Sequence, residues 1–239
     1  MNEDKIKILK NWVNNSTNIV FFGGAGVSTE SGIPDFRSTA GIYHIKYTFP
    51  PETILSHSFF LSNTKDFYEF YKEKMIYTKA EPNITHKRLA ELEASGKLKG
   101  VITQNIDGLH QKAGSKKVLE LHGSVLRNYC MDCNKFYHLD DILNAKDIPT
   151  CSCKGIIKPD VTLYEEPLNE QVVKESIQIL KSADLLIVGG TSLSVYPAAG
   201  LIRYYQGNKL VLINKAVTAY DDVADLLIND SLGDVFSLI

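Results

Sequence analysis

The feature that most restricts the fold is a run of four apolar residues, Ile19-Val20-Phe21-Phe22, that passes without a spacer into Gly23-Gly24-Ala25-Gly26-Val27-Ser28. A short continuous apolar run has the pattern of a strand buried on both faces, and such strands belong to parallel sheets covered by helices. In an open sheet of that kind, ligands bind beyond the carboxyl ends of the strands. Glycines at that end let the backbone approach a pyrophosphate, and the amides of the following helix start stabilise its charge. The third glycine of the dinucleotide fingerprint is absent, since Val27, Ser28 and Thr29 follow Gly26. Read alone, the segment therefore also fits a simple tight turn.

Five further runs have the same character: Val101-Ile102-Thr103, Val118-Leu119-Glu120-Leu121, Asp184-Leu185-Leu186-Ile187-Val188, Leu210-Val211-Leu212-Ile213 and Leu226-Leu227-Ile228. Helical spacing precedes several of them: Ile6, Leu9, Trp12 and Val13 before the first, Leu89 and Leu92 before the second, and Val172, Val173, Ile177, Ile179 and Leu180 before the fourth. This alternation predicts an α/β fold, a Rossmann-like, mostly parallel six-stranded sheet with helices on both faces. Two stretches break it, one rich in Tyr and Phe and one that holds every cysteine. They are read as a smaller inserted module, a helical insertion (39–83) with a zinc ribbon (124–159), leaving 1–38, 84–123 and 160–239 for the Rossmann-like domain that carries the glycine turn.

The four cysteines fall into two pairs, Cys130-Met131-Asp132-Cys133 and Cys151-Ser152-Cys153. Paired thiols in a chain without an export signal favour a metal over disulfides, and four sulfurs suit one tetrahedral structural zinc. Four unrelated buried cysteines are the plainer alternative. The second pair has one intervening residue where a usual knuckle has two, which tightens its bite. Net charge is −2, which gives no electrostatic basis for nucleic-acid binding. The first ten residues lack the apolar core of a secretory signal, and no apolar span of about 20 residues occurs. The expectation is a cytoplasmic protein, monomeric, with neither nucleic acid nor membrane as partner.

Beyond the glycine turn, Ser31-Gly32-Ile33-Pro34-Asp35-Phe36-Arg37 sets an aromatic ring and a guanidinium where they could cover a ring and pair with phosphate. Thr103-Gln104-Asn105-Ile106-Asp107 puts polar side chains after the second strand, although a loop that caps a helix at Asp107 has the same look. His122 ends the third run, and an imidazole with a pKa near 6.5 is suited to taking a proton near neutral pH, although a lone histidine is also a common structural residue.

These residues resemble the sirtuin family. Gly24-Ala25-Gly26-Val27-Ser28 with Gly32-Ile33-Pro34-Asp35-Phe36-Arg37, then Gln104-Asn105-Ile106-Asp107-Gly108-Leu109-His110, then His122-Gly123, match its motifs in order over nearly the whole chain. The resemblance implies an NAD-dependent protein-lysine deacylase that consumes NAD, releases nicotinamide and passes the acyl group through an O-alkylimidate to O-acyl-ADP-ribose. It implies His122 as general base and Asn105 as the second catalytic residue, near the reacting ribose. Gly24, Ala25, Gly26, Ser28, Thr29 and Arg37 would hold the cofactor, with Phe36 guarding the anomeric carbon. Gln104 would hydrogen-bond the ribose, and Ile106 and Asp107 the nicotinamide carboxamide. Gly190, Thr191 and Ser192 would hold phosphate and ribose, Asn214 and Lys215 the adenosine ribose, and Ser231 the adenine end. Val161, Leu163 and Tyr164 with Val195 and Tyr196 would receive the acyl-lysine peptide as an added strand, although Pro167 and Pro197 also fit ordinary edge breakers.

The chain departs from the family at two places. Tyr164-Glu165-Glu166 stands where the family often has Phe-Gly-Glu. Tyr71-Lys72-Glu73-Lys74 has Lys in place of the Arg that holds acidic acyl groups, which favours acetyl or another neutral acyl. The alternatives are a mono-ADP-ribosyltransferase using the same NAD site and a catalytically silent protein that binds NAD and zinc.

Overall fold

The structure is a computed structural model and describes residues 2–35 and 48–239. Its main sheet has six parallel strands: β1 (Ile19–Gly23), β2 (Leu98–Thr103), β3 (Val118–Glu120), β7 (Leu185–Gly189), β8 (Leu210–Ile213) and β9 (Leu226–Ile228). Each coincides with one of the six apolar runs. They lie in the order β3-β2-β1-β7-β8-β9, so the chain winds outward from β1 in one direction and then in the other. The carboxyl end of β1 is therefore the switch point of the sheet, where the flanking connections diverge and leave a crevice.

Side chains alternate across the sheet with period two. Ile19, Phe21, Val101, Leu185, Ile187, Val211 and Ile213 face one core, completed by Ile6, Leu9 and Val13 of α1 (Glu3–Asn15), Leu89 of α5 (Ile84–Ala94), and Val235 and Phe236 of α9 (Leu232–Phe236). Val20, Phe22, Ile102, Leu186, Val188 and Leu212 face the other, under Ile179 and Leu180 of α8 (Glu170–Ser182) and a 3-10 helix, Ala198–Tyr204. Both faces are dry, which is why these strands read as unbroken apolar runs and not as alternating ones.

A second, antiparallel sheet has the order β5-β4-β6, formed by β4 (Gly123–Cys130), β5 (Phe136–His138) and β6 (Ile157–Val161). It shares a third core with three helices, α2 (Pro51–Ile54), α3 (His57–Ser62) and α4 (Thr64–Lys74), whose Phe60, Phe67, Tyr68 and Tyr71 pack with Val125, Cys130, Ile142 and Cys151. Phe67 stacks on Tyr71 at 5.5 Å, and the Tyr68 hydroxyl donates to the Ile157 carbonyl. The aromatic-rich insertion and the cysteine-bearing insertion are thus two halves of one core, and neither has a buried face without the other. Two further short α-helices among the described residues are α6 (Leu109–Lys112) and α7 (Leu139–Asn144). No helix among the described residues is long and apolar enough to cross a membrane.

Candidate active site

All six parallel strands end at one edge, and a cavity of about 580 Å³ opens there between the two sheets. Gly24, Ala25, Gly26, Ser28 and Thr29 reach it from the end of β1, and Gln104, Asn105, Ile106 and Asp107 from β2. His122 reaches it from β3, Gly190, Thr191 and Ser192 from β7, Asn214 and Lys215 from β8, and Ser231 from β9. Val161, Leu163, Tyr164, Val195 and Tyr196 line the same cavity. Phe36 and Arg37 lie outside the described residues.

The turns after β1 and β7 touch through backbone. Gly26 N donates to the Gly190 carbonyl at 2.8 Å, and a Cβ on Gly26 would stand 2.8 Å from Gly190 Cα. Gly190 adopts φ +61°, and a side chain there would run into Val27 N. Only paired glycines permit this approach, and it exposes a ridge of backbone at the switch point, the surface a pyrophosphate needs.

A chain of side-chain hydrogen bonds ties this ridge to the β2 loop. Asn105 Nδ2 donates to Ser28 Oγ at 3.0 Å, and Ser28 Oγ donates to Asp107 Oδ2 at 2.6 Å. Asp107 Oδ1 also accepts from Leu109 N at 2.9 Å. The N-cap of α6 is Gly108, so Asp107 stands one residue before the cap; one carboxylate oxygen closes this local turn and the other meets Ser28. Burial raises the Asp107 pKa, and its bonds from Ser28 and Leu109 oppose that rise. Gln104 Nε2 donates to Thr191 Oγ1 at 3.0 Å, and Asn214 Nδ2 to the Thr191 carbonyl at 3.2 Å, which joins the ends of β2, β7 and β8.

His122 Nδ1 lies 3.0 Å from the Gln104 carbonyl oxygen. A carbonyl can only accept, so Nδ1 carries the proton, and the neutral ring keeps its lone pair on Nε2. Burial lowers the His122 pKa, and the Gln104 bond partly offsets this. The neutral, proton-accepting form is the resident one.

The wall opposite the glycine turns continues β6. Thr162 N donates to the His122 carbonyl and Tyr164 N to the Leu55 carbonyl, each at 3.0 Å, and Val161 and Leu163 are buried. Tyr196, across the cavity, is 59% exposed. Several lining residues carried no sequence signal: Glu30, Leu55, Met75, Tyr77 and Val217. Glu166 is a node, since its carboxylate accepts from Leu163 N at 2.9 Å and Lys158 Nζ at 3.1 Å and meets His57 Nδ1 at 2.7 Å. Lys74 lines the cavity, whereas Tyr71 is fully buried with its hydroxyl unpartnered among the described residues.

The four cysteine sulfurs all lie within 4.8 Å of one another, with Cys130–Cys153, Cys133–Cys151 and Cys133–Cys153 separated by 3.4, 3.5 and 3.5 Å. Sulfurs at the corners of a tetrahedron around zinc, with bonds of about 2.3 Å, stand about 3.8 Å apart, while a disulfide needs about 2.05 Å. The cluster fits a structural zinc held by all four, including the tight second pair. The Tyr137 hydroxyl donates to Cys151 Sγ at 3.1 Å, the kind of outer contact that steadies a thiolate ligand.

Residues 24–197 match the Sir2 family. The chain belongs to the Sir2 family. Among Sir2 relatives, an NAD-dependent protein deacetylase of Clostridium tetani is 62% identical, over 97% of this chain and 96% of the relative. A solved structure of Sir2 with p53 peptide and NAD+ superimposes with a TM-score of 0.86 at 41% identity, covering 97% of this chain and 95% of that one. Another, of Sir2 with deacetylated p53 peptide and 3′-O-acetyl ADP ribose, gives a TM-score of 0.89 at 41% identity, covering 98% and 96%.

Proposed function

We propose that this chain is an NAD-dependent protein-lysine deacetylase that transfers the acyl group of an acyl-lysine peptide to ADP-ribose and releases nicotinamide. The observation that carries the reading is the meeting of Asn105, Asp107 and His122 with two backbone-exposing glycine turns in one cavity at the sheet's switch point. Bound NAD would supply a ribose carbon made electrophilic by departure of nicotinamide. Gly24, Ala25, Gly26, Thr29, Arg37, Gly190, Thr191 and Ser192 would hold the phosphates and adjoining ribose, and Asn214, Lys215 and Ser231 the adenosine end. Gln104 and Asn105 would fix the nicotinamide ribose and Ile106 and Asp107 the nicotinamide carboxamide, with Ser28 bridging Asn105 and Asp107 and Phe36 shielding the reacting carbon. His122 Nε2 would take the proton from a ribose hydroxyl as that oxygen attacks the acyl carbon.

The peptide would enter as a strand between residues 161–164 and 195–196, where main-chain bonds supply affinity with little sequence preference. A neutral acyl group suits the pocket better than an acidic one, because Tyr71 is sealed in the core and Lys74 offers only a point charge. We further infer a monomer in the cytoplasm with the two-part domain division given above. A reducing compartment agrees with thiols arranged for metal.

Incubating the protein with an acetyl-lysine peptide, with and without NAD, tests this. Deacetylated peptide and nicotinamide in equal amounts, only with NAD, are expected. Nicotinamide without deacetylation would point to ADP-ribosyl transfer, and no consumption of NAD would leave a silent binding protein.

The assigned base makes a pH prediction. A His122 held neutral by burial is expected to titrate, by NMR of its ring, with a midpoint below the ordinary 6.5 or so. The acid limb of kcat/KM should follow that midpoint, because protonation removes the Nε2 lone pair. A midpoint above 6.5 would contradict the assignment.

A further inference from the structure

The segment that carries Ser28 is gripped at both ends by a side chain outside the matched motifs. Asn83 stands at the N-cap of α5, far along the chain from the glycine turn. Its Oδ1 accepts from Thr85 N at 3.0 Å and His86 N at 3.4 Å, which is ordinary capping. Its Nδ2 does something a cap does not require. It donates to the Val27 carbonyl at 2.8 Å and to Ser31 Oγ at 3.0 Å. Between those two anchors lies Ser28, which bridges Asn105 and Asp107, and Thr29, whose hydroxyl returns to the Gly26 carbonyl at 3.0 Å.

The orientation of Asn83 is itself fixed. Its backbone N–H donates to His86 Nδ1 at 3.3 Å, and His86 is fully buried, with its pKa pushed down to about 4 by desolvation. A neutral ring keeps Nδ1 available as an acceptor. Both amide protons and the amide oxygen of Asn83 are thus committed, and the amide cannot be flipped without setting oxygen against the Val27 carbonyl oxygen.

We propose that Asn83 is a positioning residue for NAD: its side-chain amide clamps residues 27–31 at both ends and so holds Ser28 and the glycine turn in the cofactor-binding shape. This rests on the reading that NAD binds at that turn. Asp and Ser are as good as Asn at an N-cap, but Asp carries no donor and Ser is too short to reach both partners. Asn83→Asp and Asn83→Ser therefore keep the helix cap and remove the clamp, and the serine controls for the charge that aspartate introduces near a phosphate site.

The test is calorimetric NAD binding by the full chain and both variants, with melting temperatures measured alongside. Melting temperatures within about 4 °C of wild type, the scale of 1 kcal/mol in a chain of this size, are expected together with NAD binding weakened roughly tenfold, the scale for loss of one to two hydrogen bonds. Wild-type affinity in both variants would overturn the inference while leaving the NAD site intact, because Asn83 would then only cap α5. A fall in melting temperature without a loss of affinity would overturn it for the same reason. Failure of the wild-type protein to bind NAD would remove the site reading and this inference with it.

Discussion

His122→Ala is expected to reduce NAD-dependent deacetylation of an acetyl-lysine peptide by roughly 100- to 10,000-fold, the range for removal of a positioned general base. The case rests on tautomer and place. With Nδ1 committed to the Gln104 carbonyl at 3.0 Å, the lone pair resides on Nε2, and the ring lines the cavity shared by Asn105 and Asp107. Alanine removes only that ring. The backbone contact of His122 O with Thr162 N survives, as do the Gln104–Thr191 and Asn105–Ser28 bonds. NAD affinity measured by calorimetry should therefore stay within a fewfold of wild type while turnover collapses. That split separates a base from a structural histidine. A variant that kept a tenth of its activity, or lost NAD affinity and turnover together, would sink the assignment of His122.

The parallel sheet was legible in the sequence because burial on both faces removes polar residues from a strand altogether. Ile19-Val20-Phe21-Phe22 and Leu185-Leu186-Ile187-Val188 then stand out against any surface segment. The site was legible for a related reason. The chain turns polar or glycine-rich as it leaves the core at the carboxyl end of a buried strand, so Gln104, Asn105, His122, Thr191 and Asn214 all fall within three residues of the end of an apolar run. The opposite wall was hidden. Leu55 and Met75 directly follow the short helices α2 and α4, and Tyr77 lies in the loop beyond α4; the apolar residues of those helices answer to a separate aromatic core, and nothing local distinguishes a residue that faces the cleft from one that faces that core. Asn83 was hidden differently. As an N-cap it is explained by its neighbours, and its second role exists only because the turn after β1 folds back onto α5.

Loss of the metal is expected to have the widest structural consequence. Zinc bound by four thiolates contributes on the order of 10–16 kcal/mol of apparent binding free energy in isolated zinc modules, as large as the whole stability of a typical domain, about 5–15 kcal/mol. Here the ligands are wired to the site through one sheet. Cys130 and Cys151 are buried in the core that also contains Val161 and Leu163, and Cys130 pairs with Ile157 on β6, the strand that ends at Val161. Cys151→Ser should yield protein with less than one zinc per chain by metal analysis, a sharply lower melting temperature and no detectable peptide deacetylation. NAD affinity should fall less, because the glycine turns spring from the six-stranded sheet, whose two cores contain no cysteine. The same order of losses is expected when a strong chelator strips the wild-type protein: the β4–β6 sheet first, then peptide binding, with NAD binding last. Wild-type protein that carries no zinc, or a Cys151→Ser variant that melts and turns over normally, would mean that the four sulfurs serve another purpose. A parallel loss of NAD and peptide binding would mean that the two sheets do not unfold separately, and the route from metal to peptide strand would have to run through the whole core.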